Sequence, residues 1–192
     1  MITLRHCLSL LSLMLILTTP TAAAKNKFFS MDNSLRDVKT IAAKAALLKE
    51  LGYDGVTWRP RNTAEAVKEM SAKGINLHAF MMKLPVTKEE RAAPIPLADL
   101  EALKGTKAIL WVQLARKGGG DADAVRAPQR LNTVAKPLGL RIAIYPHVGN
   151  HCESLEDALR VANLSADDNT GVSLTLPHQL KSQGMQDLSP LF

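Results

Sequence analysis

Apolar residues fall into short runs separated by amphipathic stretches, and the two alternate from residue 28 to near the end of the chain. Phe28–Asp32 predicts a first strand and Val38–Leu51 a helix that Gly52 and Asp54 end. Gly55–Trp58 follows as a second strand. Thr63 then starts a helix whose apolar Ala66, Val67 and Met70 lie at helical spacing, with Gly74 closing it. Ile75–Met81 predicts the third strand. A long loop rich in proline (Pro85, Pro94, Pro96) comes next, with a short helix near Leu97–Leu103. The fourth strand is predicted at Lys107–Leu114, with a helix from Asp121 to about Pro137. Arg141–Tyr145 is the fifth strand, Ser154–Leu164 a helix, and Gly171–Leu176 the sixth strand.

Strands alternating with helices imply parallel strands joined by crossovers. Within each strand, alternation separates a greasy face from a mixed one. In the fourth, Ala108, Leu110, Val112 and Leu114 oppose Ile109, Trp111 and Gln113. In the fifth, Ile142 and Ile144 oppose Arg141, Ala143, Tyr145 and His147. In the sixth, Val172, Leu174 and Leu176 oppose Gly171, Ser173 and Thr175. A (β/α)₈ barrel accounts for this, because its second face is a lumen with polar groups near one mouth. The competitor is an open doubly wound sheet, which wants helices on both faces. The expected fold is therefore α/β and TIM-barrel-like, incomplete, with six parallel strand–helix units.

Residues 1–24 stand apart from this pattern. Arg5 gives an early positive charge, Cys7–Leu17 is almost wholly apolar, and Pro20 and Thr21-Ala22-Ala23-Ala24 follow. That order is what a secretory signal looks like, and its apolar core is shorter than the roughly 20 residues a membrane-spanning helix needs, which makes an uncleaved anchor the minor alternative. The expectation is an exported protein, periplasmic or extracellular, with no membrane segment after cleavage and one domain over residues 25–192. Mass spectrometry of exported protein should find an N-terminus near Lys25, and a retained Met1 would contradict this. Cys7 leaves with the signal, so Cys152 has no intramolecular partner and the fold must stand on its core. The 24 Lys and Arg against 18 Asp and Glu make the chain basic. These charges are interspersed, with no run of five or six of one sign, which argues against a nucleic-acid arm.

Three segments resemble the xylose-isomerase-like superfamily of sugar isomerases, sugar-phosphate epimerases and apurinic endonucleases. They are Leu47-Leu48-Lys49-Glu50-Leu51-Gly52-Tyr53-Asp54-Gly55-Val56, the stretch Ala135-Lys136-Pro137-Leu138-Gly139-Leu140-Arg141-Ile142-Ala143-Ile144-Tyr145-Pro146-His147, and Asn169-Thr170-Gly171-Val172-Ser173-Leu174-Thr175-Leu176-Pro177-His178. The resemblance implies a divalent metal held by carboxylates, but Tyr145 stands where the family has a glutamate after strand five. Thr175 replaces an aspartate three residues before the matching His178. A hard cation wants several oxygen ligands, so no metal ligand is assigned and the cofactor stays unknown. The family's remaining ligands lie on a seventh and an eighth strand.

Chemistry in such barrels sits at the C-terminal strand ends. Those ends give a carbohydrate-binding set of Asp32, Arg59, His78, Gln113 and Arg116, together with Trp58, and a catalytic set of His147, Tyr145 and His178. Carboxylate, amide and guanidinium groups hydrogen-bond hydroxyls, and histidine titrates in the range a proton-transfer base needs. Each has a plainer alternative. His147 caps a strand end, Tyr145 packs the lumen, and His178 belongs to a turn. His78, on the Asn76 and Phe80 face by alternation, is a packed core histidine. Arg116-Lys117-Gly118-Gly119-Gly120-Asp121 offers cations and free backbone donors for a phosphate.

The function expected is that of a sugar or sugar-phosphate isomerase or epimerase, acting by proton transfer beside a carbonyl. The alternative is a non-catalytic carbohydrate-binding, or truncated and inactive, descendant. The partner in either case is a small carbohydrate and not a nucleic acid. Six strands leave two open edges, so the isolated mature chain is expected to self-associate, as sizing over a dilution series would show.

Overall fold

In a computed structural model of the chain, which describes residues 27–86, 94–116 (Arg116 by its backbone alone) and 119–183, six strands lie side by side in chain order. They are β1 (Phe29–Ser30), β2 (Gly55–Trp58), β3 (Asn76–Val86), β4 (Ile109–Arg116), β5 (Arg141–Ile144) and β6 (Thr170–Val172), and every neighbouring pair is parallel. Helices α1 (Ile41–Glu50), α2 (Thr63–Ala72), α3 (Leu97–Ala102), α4 (Asp121–Ala135), α5 (Leu155–Ser165) and α6 (Leu176–Gln183) alternate with them. A doubly wound sheet reverses its strand order at a switch point. This sheet never reverses, which is the winding of a barrel. The segment 1–24, Lys117-Gly118, the side chain of Arg116 and the tail 184–192 lie outside the described residues.

One sheet face carries the hydrophobic core. Val56 and Trp58 of β2, Leu110, Val112 and Leu114 of β4, and Ile142 and Ile144 of β5 cluster with Leu48, Met70, Leu131 and Val161 from the helices. Burying side chains of this size stabilises the fold by about 1.5–3 kcal/mol each. Trp58 belongs to this helix side, 1% exposed with its indole N–H donated to the Arg61 carbonyl at 2.9 Å, so it does not face the mouth. Side-chain oxygens cap two of the helices. Thr40 Oγ1 accepts from Ala43 N–H at α1, and Ser154 Oγ accepts from Asp157 N–H at α5.

Three departures from strict alternation matter for the site. β3 runs on to Val86 instead of stopping at Met81. Past Phe80 no residue of β2 pairs with it, and a strand with one free edge tolerates Pro85. A bulge interrupts the β2–β3 register, where Val56 pairs with Leu77 but Thr57 with Ala79. His78 is the extra residue, so Leu77 and Phe80 both reach the helix-side core while His78 turns away from it. The assignment of His78 to the Phe80 face is thereby corrected.

The third departure is β6, which ends at Val172. Leu174 and Leu176, 42% and 40% exposed, do not join the core, and Leu176 opens α6. Pro177 sits in the first helical turn, where a missing N–H costs nothing. The Thr175 carbonyl accepts the N–H groups of His178 and Gln179. Short as it is, β6 is anchored by side-chain amides: Asn132 donates to Thr170 Oγ1 at 2.9 Å, and Asn169 donates to Asn132 Oδ1 at 2.8 Å and to the Leu140 carbonyl at 2.9 Å.

Candidate functional site

A row of rings crosses the sheet on the face away from the core. Phe29 stacks on His78 with centroids 3.8 Å apart, and His78 meets Trp111 edge-on at 5.9 Å. Trp111 tilts against Tyr145 at 5.2 Å, Tyr145 meets His178 at 6.2 Å, and His178 lies 4.0 Å from His147. The first stack depends on Gly55, because a Cβ there would lie 2.5 Å from the Asn76 carbonyl oxygen and 2.7 Å from the Phe29 ring. Trp111, on the Gln113 face of β4, sits at the centre of this row.

Beside the row, at the C-terminal ends of β2 to β5, opens a cavity of about 520 Å³. Arg59, Pro60, Met81, Lys83, Gln113 and His147 are among its walls. Of the residues predicted for the site, Arg59, Gln113 and His147 therefore share one space. Tyr145, 8% exposed, and Asp32, 1% exposed, are buried and are not among its walls. Lys83 was not anticipated. It is visible only once β3 is known to extend beyond Met81 and to set Lys83 opposite Gln113.

Gln113 is buried, with its Nε2 in a long 3.8 Å contact to Met81 Sδ and its Oε1 without a hydrogen-bond partner. An unsatisfied buried carbonyl oxygen is costly, and a ligand hydroxyl reaching this wall would satisfy it.

His147 is held by a tight turn. Its N–H donates to the Cys152 carbonyl at 2.9 Å, its carbonyl accepts from Asn150 N–H, and His151 N–H donates to the Leu114 carbonyl at the end of β4 at 2.7 Å. Gly149, at φ +86°, makes the reversal. His147 Nδ1 lies 2.7 Å from the Val148 carbonyl oxygen, which can only accept. Nδ1 therefore carries the proton, and Nε2 of the neutral ring is left with a free lone pair. His151 itself is structural. Its Nε2 contacts Asp121 Oδ1 at 2.8 Å, tying this turn to the start of α4. Cys152 is no nucleophile, since burial pushes its thiol up to about 12.

Asp32 joins the first two strand ends. Its carboxylate pairs with Arg59 at 2.8 Å and Arg61 at 2.9 Å, while Thr57 Oγ1 accepts its backbone N–H. Arg61, which the sequence reading missed, also lies over the Trp58 ring at 5.3 Å. The run Trp58-Arg59-Pro60-Arg61 was the available signal. At the start of α4 the phosphate expectation is weakened, because Gly120 N–H already donates to Asp123 Oδ2 at 2.8 Å.

The donors present do not fit a hard divalent ion. His147 and His178 come together, but no group of three His, Cys, Asp or Glu that could hold a metal exists among the described residues. Asp32 is committed to two guanidinium groups.

Both His178 and His78 are held below the ordinary histidine value of 6.5. Burial is the larger cause in each, followed by His147 and then Lys181 for His178, and by Lys27 for His78. The unfolded chain thus binds more protons just below pH 6.5. Stability is fully present above that pH and falls as pH drops through the lowered values. Asp121, Asp157 and Asp167, held low chiefly by hydrogen bonds to Arg160 and to backbone N–H groups, add a separate loss near and below pH 4. Melting temperatures between pH 7.5 and 5 should fall, and His178→Gln should flatten part of that slope. An unchanged slope would contradict the assignment.

The fold is that of the xylose isomerase-like TIM barrels, and proteins with a xylose isomerase domain are among its structural matches. A 3-keto-D-glucoside 4-epimerase from E. coli matches with a TM-score of 0.68 at 15% identity, over 86% of this chain and 73% of that one. A probable 3-DHS dehydratase from Bacillus anthracis matches with 0.63 at 10% identity, over 82% of this chain and 65% of that one. A family 2 AP endonuclease from Brucella melitensis matches with 0.66 at 13% identity, over 87% and 74%. The chain thus spans 65% of the dehydratase's length. No family model matches the sequence. No curated protein matches it either.

Proposed function

We propose that the protein binds a carbohydrate in the mouth cavity and moves a proton beside its carbonyl group, as an isomerase or epimerase does. The observation that carries this is His147, whose Nε2 lone pair is freed by the Val148 contact and which lines the same cavity as the unsatisfied Gln113. A fold shared with a 3-keto-D-glucoside 4-epimerase supports the class of chemistry, although fold alone does not fix function.

In this mechanism a hydroxyl of the sugar donates to Gln113 Oε1. Nε2 of His147 takes the proton from the carbon next to the carbonyl, and the C–H electron pair becomes the C=C of an enediolate. The imidazolium returns the proton to the former carbonyl carbon on the same face while the adjacent hydroxyl proton passes to the first oxygen, giving the isomer; an epimer takes its proton instead from solvent on the opposite face, and the imidazolium then releases its own. His178 lies 4.0 Å from His147 and is held below the ordinary histidine value, chiefly by burial. Tyr145 packs edge-on against His178, with ring centroids 6.2 Å apart. On the reading of residues 1–24 as a signal, this chemistry takes place outside the cytoplasm.

The test is proton exchange. The protein is incubated in D₂O with a panel of ketoses, aldoses and keto-glycosides, and proton NMR follows loss of the C–H signal beside the carbonyl. Exchange into at least one sugar is expected. Binding with no exchange would instead identify a non-catalytic carbohydrate-binding protein.

A further inference from the structure

We infer that the carbohydrate this cavity takes is acidic, a polyol bearing a carboxylate or phosphate group. The inference rests on the proposed carbohydrate site and adds the charge of its ligand. Among the described residues lining the cavity, Arg59 and Lys83 are cationic and none is acidic.

Asp32 does not cancel that charge. It carries one negative charge and pairs with two guanidinium groups, Arg59 and Arg61, so one positive charge is left over. Lys83 adds another. It lies on β3 directly across the register from Gln113, so the cation and the unsatisfied carbonyl oxygen are neighbours on one wall. A cleft lined by one sign of charge concentrates the field in its opening and raises the local concentration of opposite charge. A charge-assisted hydrogen bond to Lys83 or Arg59 is also stronger than one between neutral groups.

Gln113 supplies the second, independent half of the recognition. Its side chain is 4% exposed, and its Oε1 needs a donor. Neither a carboxylate nor a fully ionised phosphate has one, but a hydroxyl does. The wall therefore asks for both functions in one molecule, an anionic group for the cations and a hydroxyl for the amide.

Isothermal titration of the full chain with D-glucose, D-glucuronate, D-glucose 6-phosphate and inorganic phosphate tests this at low and moderate salt. One of the two acidic sugars should bind about tenfold or more tightly than D-glucose, with the advantage shrinking as salt rises. Lys83→Gln should remove most of that advantage. Preference for glucuronate assigns the group as a carboxylate, and preference for glucose 6-phosphate as a phosphate. Gln113→Leu should weaken the neutral and acidic sugars alike. Equal binding of all three sugars would overturn the anion inference while leaving the carbohydrate site standing. Inorganic phosphate binding as tightly as glucose 6-phosphate would overturn the need for a polyol. Binding of none of the four would overturn the inference together with the carbohydrate site.

Discussion

Replacing His147 by alanine should lower turnover of the exchanging sugar by about 10²–10⁴-fold, the usual contribution of a positioned general base. The fold should tolerate the change. The ring is only partly buried and, among the described residues, its side-chain hydrogen bond is to the adjacent Val148 carbonyl, so the melting temperature should move little. His147→Gln separates proton transfer from polar contact, because glutamine can still donate to that carbonyl but cannot accept and return a proton at neutral pH. It should be as inactive as the alanine variant with KM nearly unchanged. Steady-state kinetics on both variants decide the matter. Retention of more than a tenth of wild-type turnover in the glutamine variant would remove His147 from the base role.

The largest stability effect away from the core is expected from Arg59 and Arg61 changed together to methionine. Asp32 is 1% exposed, and these two guanidinium groups are its ionic partners. Removing both leaves a buried carboxylate uncompensated, which costs about 3 kcal/mol or more. Either single change should cost clearly less, since one partner remains. Asp32→Asn should also be mild. The arginines it releases are 41% and 51% exposed and can hydrate. Denaturant titrations of the four variants should therefore show a double-mutant loss greater than the sum of the single losses. Additive single losses would mean that the paired charges do not share Asp32 as described.

The framework was legible because each unit repeats its own signals. Gly52 and Gly74 both end helices with positive φ, and β2 and β5 lie inside their predicted spans. Leu110, Val112, Leu114, Ile142 and Ile144 reach the helix-side core that alternation assigns them. What failed did so where one residue breaks the period. The bulge at His78 moves that ring to the other face without any change in composition, and nothing in Leu77-His78-Ala79-Phe80 announces it. Pro85 reads as part of the loop after Met81, because the free edge that admits it in β3 exists only in three dimensions. Leu174 and Leu176 alternate with Val172 as a strand would, yet the helix beginning at Leu176 takes over.

The site followed the same division. Arg59, Gln113 and His147 were found by reading strand ends, a position rule that needs only correct strands. Lys83 was missed with the end of β3. Arg61 was passed over because its role depends on Asp32, which is 29 residues away in the chain. The chemical state of His147 was not legible at all. It rests on a turn through Gly149 that brings Nδ1 to the Val148 carbonyl, and residue types alone do not fix that geometry.

The most direct test of the account is the position of a bound sugar. Crystals of the mature chain grown with the sugar that exchanges, or with a non-exchanging analogue of it, should show density in the cavity between Arg59, Lys83, Gln113 and His147. A hydroxyl should lie within hydrogen-bond distance of Gln113 Oε1, and the carbon beside the carbonyl should lie about 3–3.5 Å from His147 Nε2. A sugar bound elsewhere, or one in the cavity with His147 turned away from its carbonyl end, would contradict the account.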